Sequence, residues 1–253
     1  MLVKNKIPIL EYDSEPAAVL MPGTKGEPRL PERCAFFFLL DETERYAQEE
    51  KCELIGNFET ITKTYSIYKT VYNGKELCFC QAPLGAAAAA EFLDHLIGRG
   101  VKKIIAAGCC GDLRGWEENT FLIPTHALRD EGISYHYLPA ARWVKIPEAG
   151  VSALEKALTK EGVPFRFCKT WTTDGIYRET PAMVKYRKEE GCDTVEMECA
   201  AMAACALFRG AEFGQLLFTA DTLADTGKYD ERGWGKASFP AALRFSLEAL
   251  CEL

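Results

Sequence analysis

The sequence predicts a three-layer α/β/α fold built on a mixed, largely parallel central sheet. Three observations carry that expectation. Apolar runs of strand length alternate along the chain with amphipathic segments of helix length, the pattern of strand–helix–strand units. One hairpin signal, Asn73-Gly74, interrupts the alternation and demands an antiparallel pair. The 253 residues are 48% hydrophobic and 26% charged, an ordinary globular balance. No long linker or internal repeat divides them, so a single domain over residues 1–253 is expected.

The elements follow in order. Residues 1–33 are rich in proline and charge around the apolar stretch 17–21, which stops at the turn signal Pro22-Gly23. Residues 34–40 are continuously apolar and read as a buried strand. Residues 41–51 start acidic and continue in helix formers, so they read as a helix. Residues 61–72 and 76–81 alternate apolar and polar side chains on either side of Asn73-Gly74. Residues 86–98 form an alanine-rich helix with Phe92, Leu93, Leu96 and Ile97 on one face, and Gly98 and Gly100 mark its end. Residues 103–107 read as a strand running into a glycine turn, Gly108-Cys109-Cys110-Gly111. Further strands are expected at 120–126, 165–170, 194–197 and 215–220, and helices at 152–160, 181–190 and 199–208. Ser238 and Pro240 open a last helix that ends near Leu253. Functional groups in such sheets collect where strands end. That directs attention to residues 108–111, to Asp221 and to the loop after Thr170.

A net charge of −7 argues against a general nucleic-acid binder, which needs basic surface to displace counterions. A small anionic substrate remains compatible with it, because a site can be locally positive. The eleven cysteines are odd in number and show no zinc spacing, so reduced core thiols are expected and no metal site. The first residues are too polar for a signal peptide, and no apolar run reaches the roughly 18 residues of a membrane span. A cytoplasmic protein is the expectation.

Val195-Glu196-Met197-Glu198 places two carboxylates around a methionine at the start of an alanine-rich helix. One reading is helix capping. The other is that a carboxylate accepts hydrogen bonds from two vicinal sugar hydroxyls while methionine packs on the ribose face. Asp221 follows an apolar strand, where it either caps the next turn or delivers a proton. Proton delivery near neutral pH requires a raised pKa, which a closed, partly apolar pocket supplies.

Glu196-Met197-Glu198 followed by Ala200-Ala201 resembles the ribose-binding signature of the nucleoside phosphorylase superfamily. That superfamily includes uridine phosphorylase, the hexameric purine nucleoside phosphorylases and the methylthioadenosine/adenosylhomocysteine nucleosidases. Other segments resemble it in the same order: residues 20–23 the early strand and phosphate-loop start, 91–111 a helix–strand–loop, 130–136 an insertion, and 173–177 the base-pocket loop. The resemblance implies a three-layer fold of the phosphorylase/hydrolase kind. It implies ribose binding by Glu196, Met197 and Glu198, and a wall against the base from Ile176 and Tyr177. Asp221 would protonate a purine N7 as the base leaves, with Ala220 where purine-specific members carry serine.

The phosphate motifs depart from the family pattern. Ala106 and Cys109 stand where active phosphorylases place arginine and threonine, and Thr24-Lys25-Gly26-Glu27-Pro28-Arg29 replaces Gly-Asp-Pro-x-Arg. Backbone donors at Gly23, Gly108 and Cys109 are the implied phosphate ligands, with Lys25, Arg29, Arg33, Arg45 or a neighbouring chain's arginine as candidate cations. The implied activity is that of a pentosyltransferase of purine salvage, with a nucleoside and inorganic phosphate as substrates and no organic cofactor. Two alternatives stand beside it: a nucleosidase that uses water, with Glu11, Asp13 or Glu15 as base, and a non-catalytic nucleoside-binding protein. The resemblance also implies a homo-oligomer, dimer or hexamer, with the apolar loop 133–138 suited to an interface.

Overall fold

A computed structural model describes residues 1–23 and 26–253; the candidate Lys25 lies outside the described residues. Alternation along the strands sorts the core into two layers. On β1 (Arg33–Phe38), Cys34 and Phe36 face one side while Ala35 and Phe37 face the other. On β5 (Lys103–Asp112), Ile104 and Ala106 divide from Ile105 and Ala107 in the same way. The first layer is α2 (Ala86–Gly98) and α6 (Cys199–Arg209), which bring Phe92, Leu93, Leu96, Met202 and Ala203. The second is α4 (Glu148–Lys160) and α7 (Phe239–Glu252), which bring Leu154, Leu158, Leu243 and Leu250. Strands covered on both faces are apolar throughout, which is why their runs are continuous in the sequence.

The sheet is mixed. β1 runs parallel to β4 (Lys75–Gln81) and to β5, and β5 parallel to β10 (Glu212–Thr222). β6 (Phe121–Asp130), β8 (Phe165–Thr173) and β9 (Thr194–Glu196) run parallel to one another in that order. β10 pairs with β6 antiparallel and β9 with β5 antiparallel. The strands β5, β10, β6, β8 and β9 therefore close into a ring, and β1, β4, β3 (Thr64–Tyr72) and β2 (Glu53–Glu59) extend from it as an open wing. The hairpin between β3 and β4 is the expected one: Asn73 and Gly74 both have positive φ (47° and 74°), as the favoured two-residue turn requires.

Several expectations are corrected. Residues 108–111 do not form a turn; they continue β5 to Asp112. Glycine inside a strand marks a close approach. A Cβ on Gly111 would lie 2.9 Å from both Val195 Cγ1 and Leu223 Cδ1, so the missing side chain lets β9 approach and the ring close. Residues 20–23 are not the early strand. Val19 and Leu20 are exposed, and Gly23 packs on Gly98 at the C-terminal end of α2. The first sheet strand is β1, and α1 (Glu42–Glu49) follows it. Strand β2 and the short β7 (Trp143–Lys145) carry no clear alternation and went unpredicted. The segment expected as an insertion ends β6 and forms the single turn α3 (Ser134–Tyr137), while α5 (Pro181–Glu189) falls where expected. Among the described residues, no helix is long and apolar enough to cross a membrane.

Candidate functional site

Cys109 is exposed although it sits inside β5 between the buried residues Gly108 and Cys110. A central strand shows a side chain to solvent only where neither helical layer covers it, so the sheet is uncovered at Cys109. Burial by the surrounding walls pushes its thiol up to about 11, and the negative charges of Asp221 and Glu198 add to the rise. The thiol is therefore protonated at neutral pH and is no thiolate nucleophile. The other cysteines are free as well, eight of them buried, as reduced core thiols should be.

The two glutamates of the Glu196-Met197-Glu198 segment separate. The carboxylate of Glu196 is committed to the protein. Its Oε1 accepts from the Thr172 hydroxyl (2.6 Å) and the Thr170 hydroxyl (3.2 Å), and its Oε2 from the amides of Cys199 (2.6 Å) and Glu198 (2.8 Å). It thus satisfies the free amides that open α6, and Thr172 accepts from the Ala200 amide alongside (3.0 Å). Every accepting site on Glu196 is taken, which leaves no oxygen for a sugar hydroxyl. Glu198 differs. It is 7% exposed, and its Oε1 accepts from the Gly85 amide (2.6 Å) just before α2. Its Oε2 has no hydrogen-bond partner among the described residues. Burial raises its pKa to about 8, with the charge of Glu196 contributing. Met197 is half-buried between them.

Asp221 lies near the end of β10. Its Oδ1 stands over Gly111, 3.4 Å from where a Cβ would be, so the glycine also makes room for the carboxyl. Burial raises the Asp221 pKa, against a pull downward from the Tyr229 hydroxyl. Burial and the charge of Asp221 lift Glu179 to about 7. Sequence reasoning missed Glu179. It belongs to the connection after β8, next to a 3-10 turn (Ile176–Arg178), and no motif distinguishes it. In that turn Ile176 is 49% and Tyr177 95% exposed, so Tyr177 stands in solvent and walls nothing within this chain.

The expected phosphate ligands do not converge. Gly108 is a rung of the sheet, paired with Phe38 and Leu217, so its backbone serves the ladders. Gly23 lies at the far end of α2 from Gly85, a helix of 13 residues and about 20 Å. Ala106 is fully buried in the core. The Arg29 guanidinium lies over Gly100, Arg33 donates to the Leu250 carbonyl (3.1 Å), and Arg45 pairs with Glu42. Glu11, Asp13 and Glu15 line a separate surface cleft with His136 and Phe208. No group of three or more metal-ligating side chains occurs among the described residues.

A layered α/β sheet that closes on itself, with carboxyls gathered around an uncharged thiol where its strands end, defines the class as a mixed-sheet α/β protein. Its family follows from comparison with known sequences. The profile of the Phosphorylase superfamily matches residues 36–242, and the chain belongs to that family. The match begins inside β1 and so excludes residues 20–23, in agreement with the fold. A DeoD-type purine nucleoside phosphorylase of Bacillus cytotoxicus is 27% identical over 183 residues, 70% of this chain and 77% of its own. Two solved structures share the fold. The purine nucleoside phosphorylase of Toxoplasma gondii has a TM-score of 0.77 at 20% identity, over 91% of this chain and 97% of its own. The AMP nucleosidase of Bacteroides thetaiotaomicron has a TM-score of 0.71 at 19% identity, over 87% of each chain.

Proposed function

We propose that the protein cleaves the N-glycosidic bond of a purine nucleoside, with water as the nucleophile. The observation that carries the reading is the set of groups around Cys109, where the buried Glu198 and the half-buried Asp221 both act on an uncharged thiol. Cleavage builds positive charge on the sugar, and the Glu198 carboxyl, whose ionised form is favoured once ribose hydroxyls donate to it, stabilises that charge. Glu198 has one unpartnered oxygen and accepts hydrogen bonds from the ribose hydroxyls, with Met197 against the ring. Asp221, whose pKa burial raises, delivers a proton to the purine as the base leaves. Similarity to the purine nucleoside phosphorylase of Bacillus cytotoxicus supports a purine.

Phosphate fits this site poorly. A phosphate dianion wants a bidentate arginine and converging N–H donors. Here the charges that act on Cys109 are both negative, and Ala106 is buried in the core. Water needs a carboxylate base, and the end of β1, beside Gly108, opens into α1 with Glu42 and Glu44. One observation favours phosphorolysis as a second reading: Arg45 stands in the same turn, where release from Glu42 would free a cation. We further propose that the chain assembles with itself, and light scattering should report a dimer or larger.

The test is base release from a panel of purine and pyrimidine nucleosides, with and without phosphate, followed by chromatography. Release from purine nucleosides at equal rates in both conditions is expected. Release that depends on phosphate would replace hydrolysis by phosphorolysis. Release from pyrimidine nucleosides alone would overturn the purine assignment.

A further inference from the structure

Glu198 is held by a backbone group that its own segment does not supply. The Gly85 amide, 113 residues away in the chain, donates to its Oε1 (2.6 Å). Gly85 opens α2: its carbonyl accepts from the Ala89 amide (3.0 Å), while its own amide points out of the helix to Glu198. The residue has φ 93° and ψ 146°, a region that L-amino acids with a side chain all but never occupy. A Cβ added there would meet nothing within 4 Å. Backbone direction, not space, is therefore what requires glycine at this position.

Glu198 reaches Gly85 because two helices start side by side. It is the N-cap of α6, where its carbonyl accepts from the Met202 amide (3.0 Å). Its side chain does not cap that helix, a task that Glu196 performs, and crosses to the start of α2 instead. Ala86 and Ala90 of α2 pack with Ala201 of α6, all three buried, and side chains this small let the two starts approach. α2 has 13 residues and α6 has 11, so each presents the positive end of a helix dipole beside this residue. The amide and the dipoles favour a fixed carboxylate where burial alone disfavours one. With Oε1 engaged, Oε2 is the oxygen left for a ligand.

We propose that Gly85 is a positioning residue for nucleoside cleavage: its glycine-only backbone turns an amide onto Glu198 Oε1 and so presents Oε2, in one orientation, to the ribose hydroxyls. Gly85 acts through Glu198. Any other residue would draw φ back to negative values and swing the amide away from the carboxyl. Glu198 would then turn freely between orientations, and the ribose would have to order it at the moment of binding. The inference rests on the ribose-binding reading of Glu198 above and adds to it the group that holds that side chain.

Calorimetry with a purine C-nucleoside, whose carbon–carbon glycosidic bond resists cleavage, tests this beside the 2′,3′-dideoxy form of the same ligand. The wild-type protein should prefer the hydroxylated form by about 10–100-fold, the worth of hydrogen bonding to a charged group. In Gly85→Ala that preference should shrink about tenfold. A merely structural role would weaken both ligands alike and keep their ratio. Gly74→Ala, strained at positive φ on the hairpin, should keep the wild-type ratio. In Glu198→Ala the ratio should be near one, and adding Gly85→Ala should not change it further. If Gly85→Ala does not fold, the Gly85 amide proton is followed by magnetic resonance in protein labelled at glycine nitrogen. Its resonance should move in Glu198→Ala, and a resonance that stays in place overturns the proposal. So does a wild-type preference that survives in Gly85→Ala, or one that is lost equally in Gly74→Ala. Equal binding of the two ligands by the wild type would overturn the ribose reading itself, and this inference with it.

Discussion

Glu196 and Glu198 lie two positions apart, and their sequence context is nearly the same, yet their environments assign them opposite roles. Four donors converge on Glu196. Glu196→Gln would turn an amide NH2 against backbone N–H groups that now have an acceptor. Unsatisfied buried donors are expensive, so a loss of about 2–4 kcal/mol in stability is expected from denaturant titration. Glu198 has a single donor, from Gly85. Glu198→Gln should fold at least as stably as the wild type, because it removes a buried carboxyl, and should lower kcat/KM for nucleoside cleavage by about 10²-fold. If Glu198→Gln unfolds and Glu196→Gln folds but loses turnover, the two roles are exchanged. Asp221→Asn keeps the shape of the side chain but cannot donate a proton to the leaving base, and should slow cleavage by about 10²–10⁴-fold. Unchanged purine turnover in Asp221→Asn would remove the proton-delivery role. Spacing alone could show that a carboxylate belongs at the start of α6. Which of the two is free to meet a ligand depends on Thr170 and Thr172, some two dozen residues away on β8, a contact that no local pattern encodes.

Among the elements, the sequence was most legible where local chemistry decides the outcome. The helix at Ala86–Gly98 and the Asn73-Gly74 hairpin follow directly from apolar spacing and turn type. Legibility failed where long-range packing overrides a local signal. Gly108 and Gly111 look like a turn, but both are strand positions held by neighbours: a Cβ on Gly108 would come 3.0 Å from Phe38 Cβ. The same error hid the closure of the ring; resemblance alone places the early loop at residues 20–23, and Gly23 packs instead at the far end of α2. Gly111→Ala tests this placement. The added methyl would press on Val195 and Leu223 and crowd Asp221 Oδ1. A loss of about 1–3 kcal/mol is expected, the usual cost of overpacking, together with impaired cleavage. Gly74→Ala is the control. It strains a positive φ in open space at the hairpin tip, far along the wing, and should cost about 1 kcal/mol while leaving cleavage intact. If both variants lose activity equally, the special position of Gly111 is refuted.

At the scale of the whole molecule, the site should leave a signature in the pH dependence of folding. Glu179, Glu196, Glu198 and Asp221 all have raised pKa values, with burial the leading cause in each. Once unfolded, these carboxyls return to the ordinary range near 4. Between that range and the folded values, about 7 for Glu179 and about 8 for Glu198, the folded protein binds more protons than the unfolded chain. Stability must therefore fall as pH rises through this window. Glu190 acts in the opposite sense: Arg142 and Arg187 hold its pKa down, so its contribution is present above the ordinary carboxylate range and is lost as pH falls below it. Thermal unfolding should accordingly show highest stability near pH 5–6 and a decline toward pH 8. Glu198→Gln should flatten that decline, and a bound purine nucleoside should reduce it as well, because hydroxyls donated to Glu198 favour its ionised form. A melting temperature that rises from pH 5 to pH 8 would mean that these carboxyls ionise freely in the folded state. The carboxyls would then be open to water, and proton delivery by Asp221 would not survive that result.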